Sequence, residues 1–400
     1  MKNGQLGPLQ GIRVLDISTV FAAPFAASLL GDYGAEVLKI ELPKRGDTLR
    51  GMQPAAGSES LPWVALSRNK RSITLDLKKE RGQELFLRIV RNRDILFENF
   101  RPGTLQKWGL SVERIREANP DLVIIHVSGY GQTGPYRHRA GFGTSATAFS
   151  GYTYINGFPD RPPLSPPIPL ADYMTGLFAA LGAMVALYYR DALDGEGQDV
   201  DIALYESLFR IMESVVIEHG YTGVIKERAG NNMANSAPVG AFQAKDGKWL
   251  VLTTSTNPTF YRLAEAMGRP EMKTDPQYAT NKERIARREQ LNEMISEWFK
   301  KHTAQEIQDI CDEHGIPICP IYDMSEIFQD EQYTARESIV EVDHPKLGKV
   351  KIPGVVPKFS ETPGSIRNAG PMLGEHNVEV YQELGLSQEE IKKYMQEGII

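Results

Sequence analysis

The chain alternates short apolar runs with longer stretches whose apolar residues recur at helical spacing. Five β-branched runs predict buried strands: GIRVLDIS, EVLKIE, RSITLDL, DILFENF and DLVIIHVSG. Helical patterns separate them, including a helix predicted near 104–118. Strands alternating with helices are typical of a mostly parallel sheet covered on both faces. The first part of the chain is therefore predicted to have an α/β fold.

A long apolar stretch follows this region and is predicted to form a helix over 173–190. Its continuous apolar run, Gly176 to Tyr189, is shorter than the ~20 residues that span a bilayer. We therefore interpret it as a buried helix. A second amphipathic helix is predicted after it, within DGEGQDVDIALYESLFRIMESVVIEHG.

The pattern changes near residue 222, where VIKERAGNNMANSAPVG is polar and irregular. A predicted hairpin and charged helices follow, which indicates a linker at 206–225 and a smaller α+β domain at 226–325. The tail contains strand-like runs and a last helix, where Ser387 and Glu390 have the spacing of a capping box.

Composition and charge narrow the class of protein. At 400 residues the chain exceeds the roughly 250 to 300 at which single cores usually divide, which favours two domains. A net charge of −6 gives no overall attraction to nucleic acid or an anionic membrane, and we expect neither partner. Two cysteines cannot form a disulfide framework, and the N-terminus lacks the apolar segment of a signal peptide, so we expect a cytoplasmic protein.

A dinucleotide site needs glycines after a strand, so that the backbone can approach a pyrophosphate. The first crossover, DISTVFAAPFAAS, follows the first predicted strand and has no glycine. Glu41 therefore lacks the glycine motif that accompanies a ribose-binding acid. A literal GxGxxG occurs at Gly129, Gly131 and Gly134, but Pro135 follows it and no acid lies about 20 residues on. This pattern favours a glycine-rich turn over a nicotinamide or flavin site.

Metal and hydrolase sites are also weakly supported. His302, Cys311, His314 and Cys319 are close in sequence, but no pair has CxxC or HExxH spacing. The segment around Ser145 lacks the second glycine of a nucleophile elbow. We expect no bound metal and no familiar nucleophilic serine or cysteine.

Asp172 stands between a proline-rich segment and the long apolar helix. An aspartate in this place is a favoured N-cap, worth ~1 kcal/mol, and spacing alone favours that structural role over a catalytic one. A carboxylate held ionised at a helix start is also a usable nucleophile. Both interpretations remain open from the residues alone.

Eight segments, in order between residues 8 and 385, resemble one known family: PLQGIRVLDIS, GDYGAEVLKIE, NKRSITLDL, ENFRPGTLQKWGL, LADYMTGLFAALGAMVALYYR, GEGQDVDIALYESL, DEHGIPICPI and PMLGEHNVEVYQELG. The family is the class III CoA-transferases, which share their fold with α-methylacyl-CoA racemases. The resemblance implies a Rossmann-like large domain from residues 1–205 and 330–400. It also implies a homodimer of two interlocked rings.

The resemblance implies an enzyme that moves CoA from an acyl-CoA to a small carboxylic acid, with no tightly bound cofactor. Asp172 occupies the position of the family's nucleophile, which forms an aspartyl-CoA thioester. The family's CoA contacts correspond to Val20, Phe21, Ala22, Leu75, Lys78, Asn99, Phe100, Thr104 and Lys107. Lysines suit phosphates, and apolar segments can enclose adenine.

Several positions depart from the formyl-CoA branch. Leu42 replaces an arginine after the second strand, with Lys44 and Arg45 close behind, so a phosphate contact is expected to have moved. The segment LTTSTNPTF replaces a run of glycines, which argues against formyl-CoA:oxalate transfer. The segment FSGYTYING is closest to the carnitine branch, and a dicarboxylate acceptor stays open.

Two alternatives remain. An α-methylacyl-CoA racemase needs a histidine as its second base, but Phe142 and Gly143 stand at that motif and His138 lies four residues before Phe142. A non-catalytic acyl-CoA-binding protein would use Asp172 only as a helix cap.

Overall fold

The computed structural model describes residues 7–233 and 235–400, which form two compact units. Unit 1 consists of the described residues of Met1–Tyr152 with Ser165–Gly223 and Thr334–Ile400. Unit 2 consists of Thr153–Leu164 and the described residues of Val224–Tyr333. The C-terminal tail therefore belongs to the same unit as the N-terminal sheet.

Within these described residues, the strands are β1 (Arg13–Asp16), β2 (Glu36–Glu41), β3 (Ala55–Ala56), β4 (Glu59–Ser60), β5 (Lys70–Thr74), β6 (Ile95–Glu98), β7 (Val123–Ser128), β8 (Asp199–Ala203), β9 (Val239–Gln243), β10 (Trp249–Thr253), β11 (Ile318–Pro320), β12 (Ile339–His344) and β13 (Gly348–Pro353). The helices are α1 (Ala22–Asp32), α2 (Leu61–Leu66), α3 (Glu80–Val90), α4 (Thr104–Lys107), α5 (Val112–Ala118), α6 (Gly143–Phe149), α7 (Tyr152–Ile155), α8 (Leu170–Ala192), α9 (Leu204–Arg210), α10 (Glu213–Thr222), α11 (Asn257–Ala266), α12 (Asn281–Ala286), α13 (Arg288–Phe299), α14 (Ala304–His314), α15 (Met324–Ile327), α16 (Glu331–Ala335), α17 (Asn377–Glu383) and α18 (Gln388–Gln396). Two 3₁₀ helices lie at Thr48–Gly51 and Pro270–Lys273.

The main sheet of unit 1 has six strands in the order β5-β2-β1-β6-β7-β8, and every neighbouring pair is parallel. This is the strand order of doubly wound dinucleotide-binding folds, whose crevice opens where the order reverses, here between β1 and β6. The predicted α/β class is confirmed. The sequence interpretation missed β8, an edge strand whose residues alternate between exposed and half-buried before the buried Ala203.

Successive residues of each strand face opposite sides, so the sheet has two cores. Val14 packs with α1 and α8, whereas Leu15 packs with α3, α5 and the last two helices of the tail. The tail is also hydrogen-bonded to the sheet, because the Tyr381 hydroxyl donates to the Thr74 carbonyl at 2.6 Å. The predicted capping box at Ser387 and Glu390 is present at the start of α18.

Unit 2 is an antiparallel sheet of β9, β10 and β11 packed against helices. The β9–β10 pair is the predicted hairpin. Leu250 and Leu252 point from β10 into a core that includes Phe299 and Ile307 from α13 and α14. This arrangement agrees with the small α+β architecture expected for the middle of the chain.

Two local expectations need correction. Residues 206–225 are mainly the helices α9 and α10 of unit 1 rather than a linker, because Leu204 and Leu208 are buried against the sheet. The single helix expected at 104–118 is two helices, α4 and α5. Gly109 separates them with a φ of +82°, a left-handed conformation that a glycine adopts without strain.

The helix α8 is longer and more exposed than expected. It has 23 residues and, within the described part of the chain, is the one helix long and apolar enough to cross a membrane by length and composition. Only 39% of its most apolar window is buried. One face covers the sheet, while Leu181, Val185 and Tyr188 are 58%, 61% and 64% exposed. The interpretation as a buried helix therefore holds for one face of α8 and is wrong for the other.

Candidate active site

Asp172 lies in the first turn of α8, two residues after the helix begins at Leu170. The cap position is Pro169, which has no side-chain capping bond. The prediction that Asp172 caps the helix is wrong, because residues 170–172 are already helical and place the acid at the third helical position. Its carboxylate still lies in the turn where the helix dipole favours negative charge.

Burial is the main influence on the pKa of the Asp172 carboxyl. The side chain is half-buried, and this desolvation raises its pKa to about 6, although a backbone hydrogen bond opposes the shift. Burial therefore opposes the ionised form that the helix start was expected to favour. At neutral pH the group is still mainly ionised, and it is less solvated than a surface carboxylate.

Gly143, the first residue of α6, lies directly against the Asp172 carboxylate. A Cβ built on Gly143 would be 1.8 Å from Asp172 Oδ2, which is an impossible overlap. Any side chain at this position would displace the carboxylate. The sequence analysis considered this segment only as the place of a racemase's second base, and the contact of Gly143 with the Asp172 carboxylate was not predicted.

The expected CoA-binding segment of the first crossover lies beside the start of α8. The Phe21 ring is 6.1 Å from that of Tyr173, the neighbour of Asp172, and the Phe25 ring is 5.0 Å from it. Gly176 allows this approach, because a Cβ there would lie 2.7 Å from the Ala22 carbonyl oxygen. The structure therefore places Phe21 and Ala22 beside the first two turns of α8, the helix that contains Asp172.

A cavity of about 250 Å³ opens at the carboxyl ends of β1, β2 and β5. Three of the expected CoA contacts line it, namely Leu75, Lys78 and Phe100. The sequence analysis missed its aromatic wall, Trp108, whose ring is 5.0 Å from Phe100 and 5.5 Å from the Lys78 ammonium. Trp108 follows directly after ENFRPGTLQK, the segment that contains four of the expected CoA contacts. This position in the sequence was the signal that could have identified it. Leu42, one of the noted departures, also lines the cavity.

The remaining expected contacts lie elsewhere in unit 1. Asn99 uses its amide to hold the backbone of Thr19, accepting at 2.8 Å and donating at 2.7 Å. Thr104 lines a second cavity of about 220 Å³ that also contains His126. Lys107 is exposed at the end of α4. The structure does not bring Thr104 and Lys107 to the first cavity.

His126 is a buried residue that the sequence analysis did not single out. Burial disfavours its charged form, but the carboxylates of Asp199 and Glu98 outweigh that cost and raise its pKa to about 9. Its Nδ1 lies 2.7 Å from Glu98 Oε1 across the β6–β7 pair. An imidazolium fixed in this way is a structural charge of the sheet.

The competing candidates lack suitable geometry. Glu41 is bound by Arg50 at 2.6 and 2.7 Å and by the Ser72 hydroxyl at 2.6 Å, so it has no free oxygen for a ribose. Burial raises the pKa of Cys311 to about 12, which makes it a poor nucleophile. His138 is exposed and accepts a hydrogen bond from Arg137 at 3.0 Å. Among residues 7–233 and 235–400, no group of three acids, histidines or cysteines could hold a metal ion.

The structure is that of a doubly wound α/β protein with a half-buried carboxyl at a helix start, and comparisons with known proteins give its family. The model of CoA-transferase family III matches residues 9–377, and the chain belongs to this family. It is similar to the succinyl-CoA–D-citramalate CoA-transferase of Chloroflexus aurantiacus, with 44% identity over 98% of both chains. The protein is therefore a CoA-transferase.

Other relatives cover the chain equally well. A succinyl-CoA–L-malate CoA-transferase beta subunit from Chloroflexus aurantiacus is 45% identical over 98% of both chains. The formyl-CoA:oxalate CoA-transferase of Streptomyces coelicolor is 33% identical over 98% of this chain and 99% of its own. A solved CAIB/BAIF family protein from Brucella suis superimposes with a TM-score of 0.84 at 30% identity, covering 95% of this chain and 100% of that one.

Proposed function

We propose that this CoA-transferase moves CoA from succinyl-CoA to a dicarboxylic acid, with Asp172 as the nucleophile. The observation that supports it most is the position of Asp172, a half-buried carboxyl beside the crossover where CoA contacts are expected. Relatives at 44% and 45% identity act on D-citramalate and L-malate, both dicarboxylic acids. We therefore prefer a dicarboxylate to a carnitine-like acceptor.

The first half of the reaction forms the enzyme thioester. An oxygen of the Asp172 carboxylate attacks the thioester carbonyl of the donor, and the C–S bond breaks to give a mixed anhydride and CoA thiolate. The thiolate then attacks the Asp172 carbonyl carbon. This step releases the donor acid as its carboxylate and leaves CoA bound to Asp172 as a thioester.

The second half reverses these steps with the acceptor. A carboxylate oxygen of the acceptor attacks the Asp172 thioester, which expels the thiolate and forms a new mixed anhydride. The thiolate attacks the acceptor's acyl carbon, so acyl-CoA leaves and the Asp172 carboxylate is regenerated. The thioester bond energy is retained throughout, and each step is an acyl transfer between oxygen and sulfur.

The surroundings of Asp172 suit these steps. A pKa of about 6 leaves the carboxylate ionised at pH 7 while partial burial removes water that would solvate it. The absence of a side chain at Gly143 leaves the carboxylate its place next to α6. We propose that CoA lies along the first cavity, with Leu75, Lys78 and Phe100 as contacts and Val20, Phe21 and Ala22 between the cavity and Asp172.

Trapping of the intermediate tests this proposal. We expect succinyl-CoA and hydroxylamine to leave a hydroxamate on the peptide that contains Asp172, detected by mass spectrometry. Asp172→Asn should abolish both the adduct and CoA transfer to malate or citramalate. Asp160→Asn is the matched control, because Asp160 is an exposed aspartate of unit 2.

Two outcomes would contradict the proposal. Full activity of Asp172→Asn, with the amide verified as intact by mass spectrometry, would exclude Asp172 as nucleophile. Solvent deuterium entering the α-carbon of an acyl-CoA, with no adduct on Asp172, would indicate the racemase alternative. That alternative is weakly supported, because the geometry offers no histidine paired with Asp172 in the described residues.

We further propose a cytoplasmic homodimer in which two ring-shaped subunits interlock. The exposed apolar face of α8 supports this, since Leu181, Val185 and Tyr188 recur at helical spacing and are more than half exposed. The helix α10 of the same unit also has exposed apolar residues, Ile217 and Tyr221, which are 72% and 91% exposed. A second copy of the chain would cover this apolar area.

A further inference from the structure

The first crossover contains a strained residue at the place where CoA is expected to bind. Val20 has a φ of +68°, in the left-handed region. A β-branched side chain is a strong outlier there, and such residues persist only when neighbouring contacts hold them. Because the crossover contains no glycine, that support must come from other side chains.

Asp47 supplies support for Val20. Its two carboxylate oxygens accept the Val20 N–H at 3.1 and 3.3 Å, and Oδ1 also accepts the Leu49 N–H at 2.9 Å. The Asp47 side chain is only 1% exposed, so it has almost no surface to offer a ligand. Asp47 lines the first cavity, but with so little of its side chain exposed, its main influence on binding is expected to act through the backbone it holds.

A buried ion pair fixes Asp47 in turn. Lys39 lies 3.3 Å from Asp47 Oδ2 and 3.4 Å from Asp16 Oδ1 and also donates to the Ser18 carbonyl. Burial disfavours the Lys39 ammonium, but Asp16 and Asp47 outweigh it and raise its pKa, so the ammonium stays charged. On the other side of Val20, the Asn99 amide holds both backbone groups of Thr19.

We propose that Asp47 is a positioning residue that holds Val20 in its left-handed conformation and so shapes the crossover that binds CoA. Asn99 has the same role for Thr19, rather than contacting CoA through its side chain. Side-chain anchors thus replace the glycines that usually form the first crossover of such sheets. This inference rests on the proposed binding of CoA at the crossover.

Calorimetric titration with CoA tests the inference on the full-length protein. We expect Asp47→Ala to weaken CoA binding by about tenfold. The variant no longer offsets the backbone strain at Val20, so the crossover leaves the conformation that binds CoA. Adding Val20→Gly to Asp47→Ala should return the dissociation constant to within about threefold of the parent, because glycine adopts a positive φ without strain. At saturating acyl-CoA, we expect kcat of Asp47→Ala to stay within about twofold of the parent, while KM rises.

The outcomes separate this inference from the proposed function. Failure of the parent protein to bind CoA would contradict the proposed site itself. Two results would overturn the positioning role alone. One is that the parent and Asp47→Ala bind CoA equally well. The other is that Asp47→Ala binds CoA as weakly with Val20→Gly as without it. Should Asp47→Ala fail to fold, Asn99→Ala removes both hydrogen bonds to Thr19 from a partly exposed position. The inference then predicts about tenfold weaker CoA binding with kcat retained, and unchanged binding would overturn it.

Discussion

The half-buried carboxyl of Asp172 predicts an acid limb near pH 6 in the rate profile. Only the ionised form attacks a thioester, and burial raises the pKa of Asp172 to about 6. We expect kcat/KM for succinyl-CoA to fall about tenfold per pH unit below that value and to be level just above it. Initial rates between about pH 4.5 and 8.5 measure this limb.

Acid inactivation is the main alternative cause of such a limb. Enzyme held at each pH and then assayed at pH 7.5 controls for it, and should regain full activity. A reversible limb near pH 4, the ordinary range for an aspartate, would show that the Asp172 carboxyl is well solvated in the free enzyme.

Gly143 predicts a sharp loss of rate when a single methyl group is added. Because a Cβ would overlap Asp172 Oδ2, Gly143→Ala must turn the carboxylate away from its present position. A misplaced nucleophile costs on the order of 100-fold in kcat, and we expect CoA affinity to change little. Steady-state rates and calorimetric titration with CoA separate the two effects.

Gly51→Ala is the matched control for Gly143→Ala. A Cβ on Gly51 would have no neighbour within 4 Å, and its φ is not in the left-handed region. We expect this variant to keep the parent's rate. Equal rates for both variants would show that the Asp172 carboxylate has another productive position.

The sequence was sufficient to select Asp172 but not to describe its environment. The order of family segments pointed to this acid, whereas its third position in α8, its raised pKa and its contact with Gly143 depend on packing between distant segments. Asn99 shows the same limit. The resemblance named Asn99 as a CoA contact, but its hydrogen bonds with the Thr19 backbone could not be predicted from spacing.

At the level of elements, α1 and α8 are predicted to depend on a single glycine for their close packing. A Cβ on Gly176 would lie 2.7 Å from both the Ala22 carbonyl oxygen and Phe25 Cδ1. We expect Gly176→Ala to lower the free energy of unfolding by about 1–2 kcal/mol, because overpacking exceeds the gain in helix propensity. Urea unfolding measures the change, and displacement of Ala22 should also raise KM for acyl-CoA.

Gly182→Ala in the same helix provides the comparison. Its Cβ would lie 3.1 Å from the Cγ1 atom of Val200, a contact that a shift of a few tenths of an ångström relieves. Helix propensity then dominates, so we expect Gly182→Ala to raise the free energy of unfolding by between zero and about 1 kcal/mol. Equal destabilisation by both alanines would contradict the proposed importance of the α1–α8 contact.

The elements of the fold were predictable where local pattern and final burial agree. The strands β1, β2, β5, β6 and β7 are buried on both faces, so their continuous apolar runs predicted them. The edge strand β8 has no such run and was missed. The packing of α17 and α18 on the sheet joins residues about 300 apart in sequence, as between Thr74 and Tyr381, and no periodicity encodes that contact.

At the scale of the whole molecule, the exposed face of α8 requires an explanation that a single chain does not give. Apolar residues surround this helix, yet within the described part of the chain only the faces towards the sheet and towards α1, α6 and α9 are covered. A local pattern cannot distinguish burial by the same chain from burial by a second copy, which is why a buried helix was predicted here. Exposed apolar patches of this kind mark surfaces for association.

The proposed homodimer predicts that charge on this face prevents assembly. We expect the parent to have twice the chain mass of 44.6 kDa by light scattering, independent of dilution, because interlocked rings cannot separate while folded. Leu181→Lys combined with Val185→Lys should yield the mass of one chain, since two desolvated ammonium groups cannot be accommodated in an apolar interface. Met395→Lys, at an exposed position of α18, is the control and should remain dimeric. A parent that is monomeric at micromolar concentration would exclude both the dimer and its interlocking.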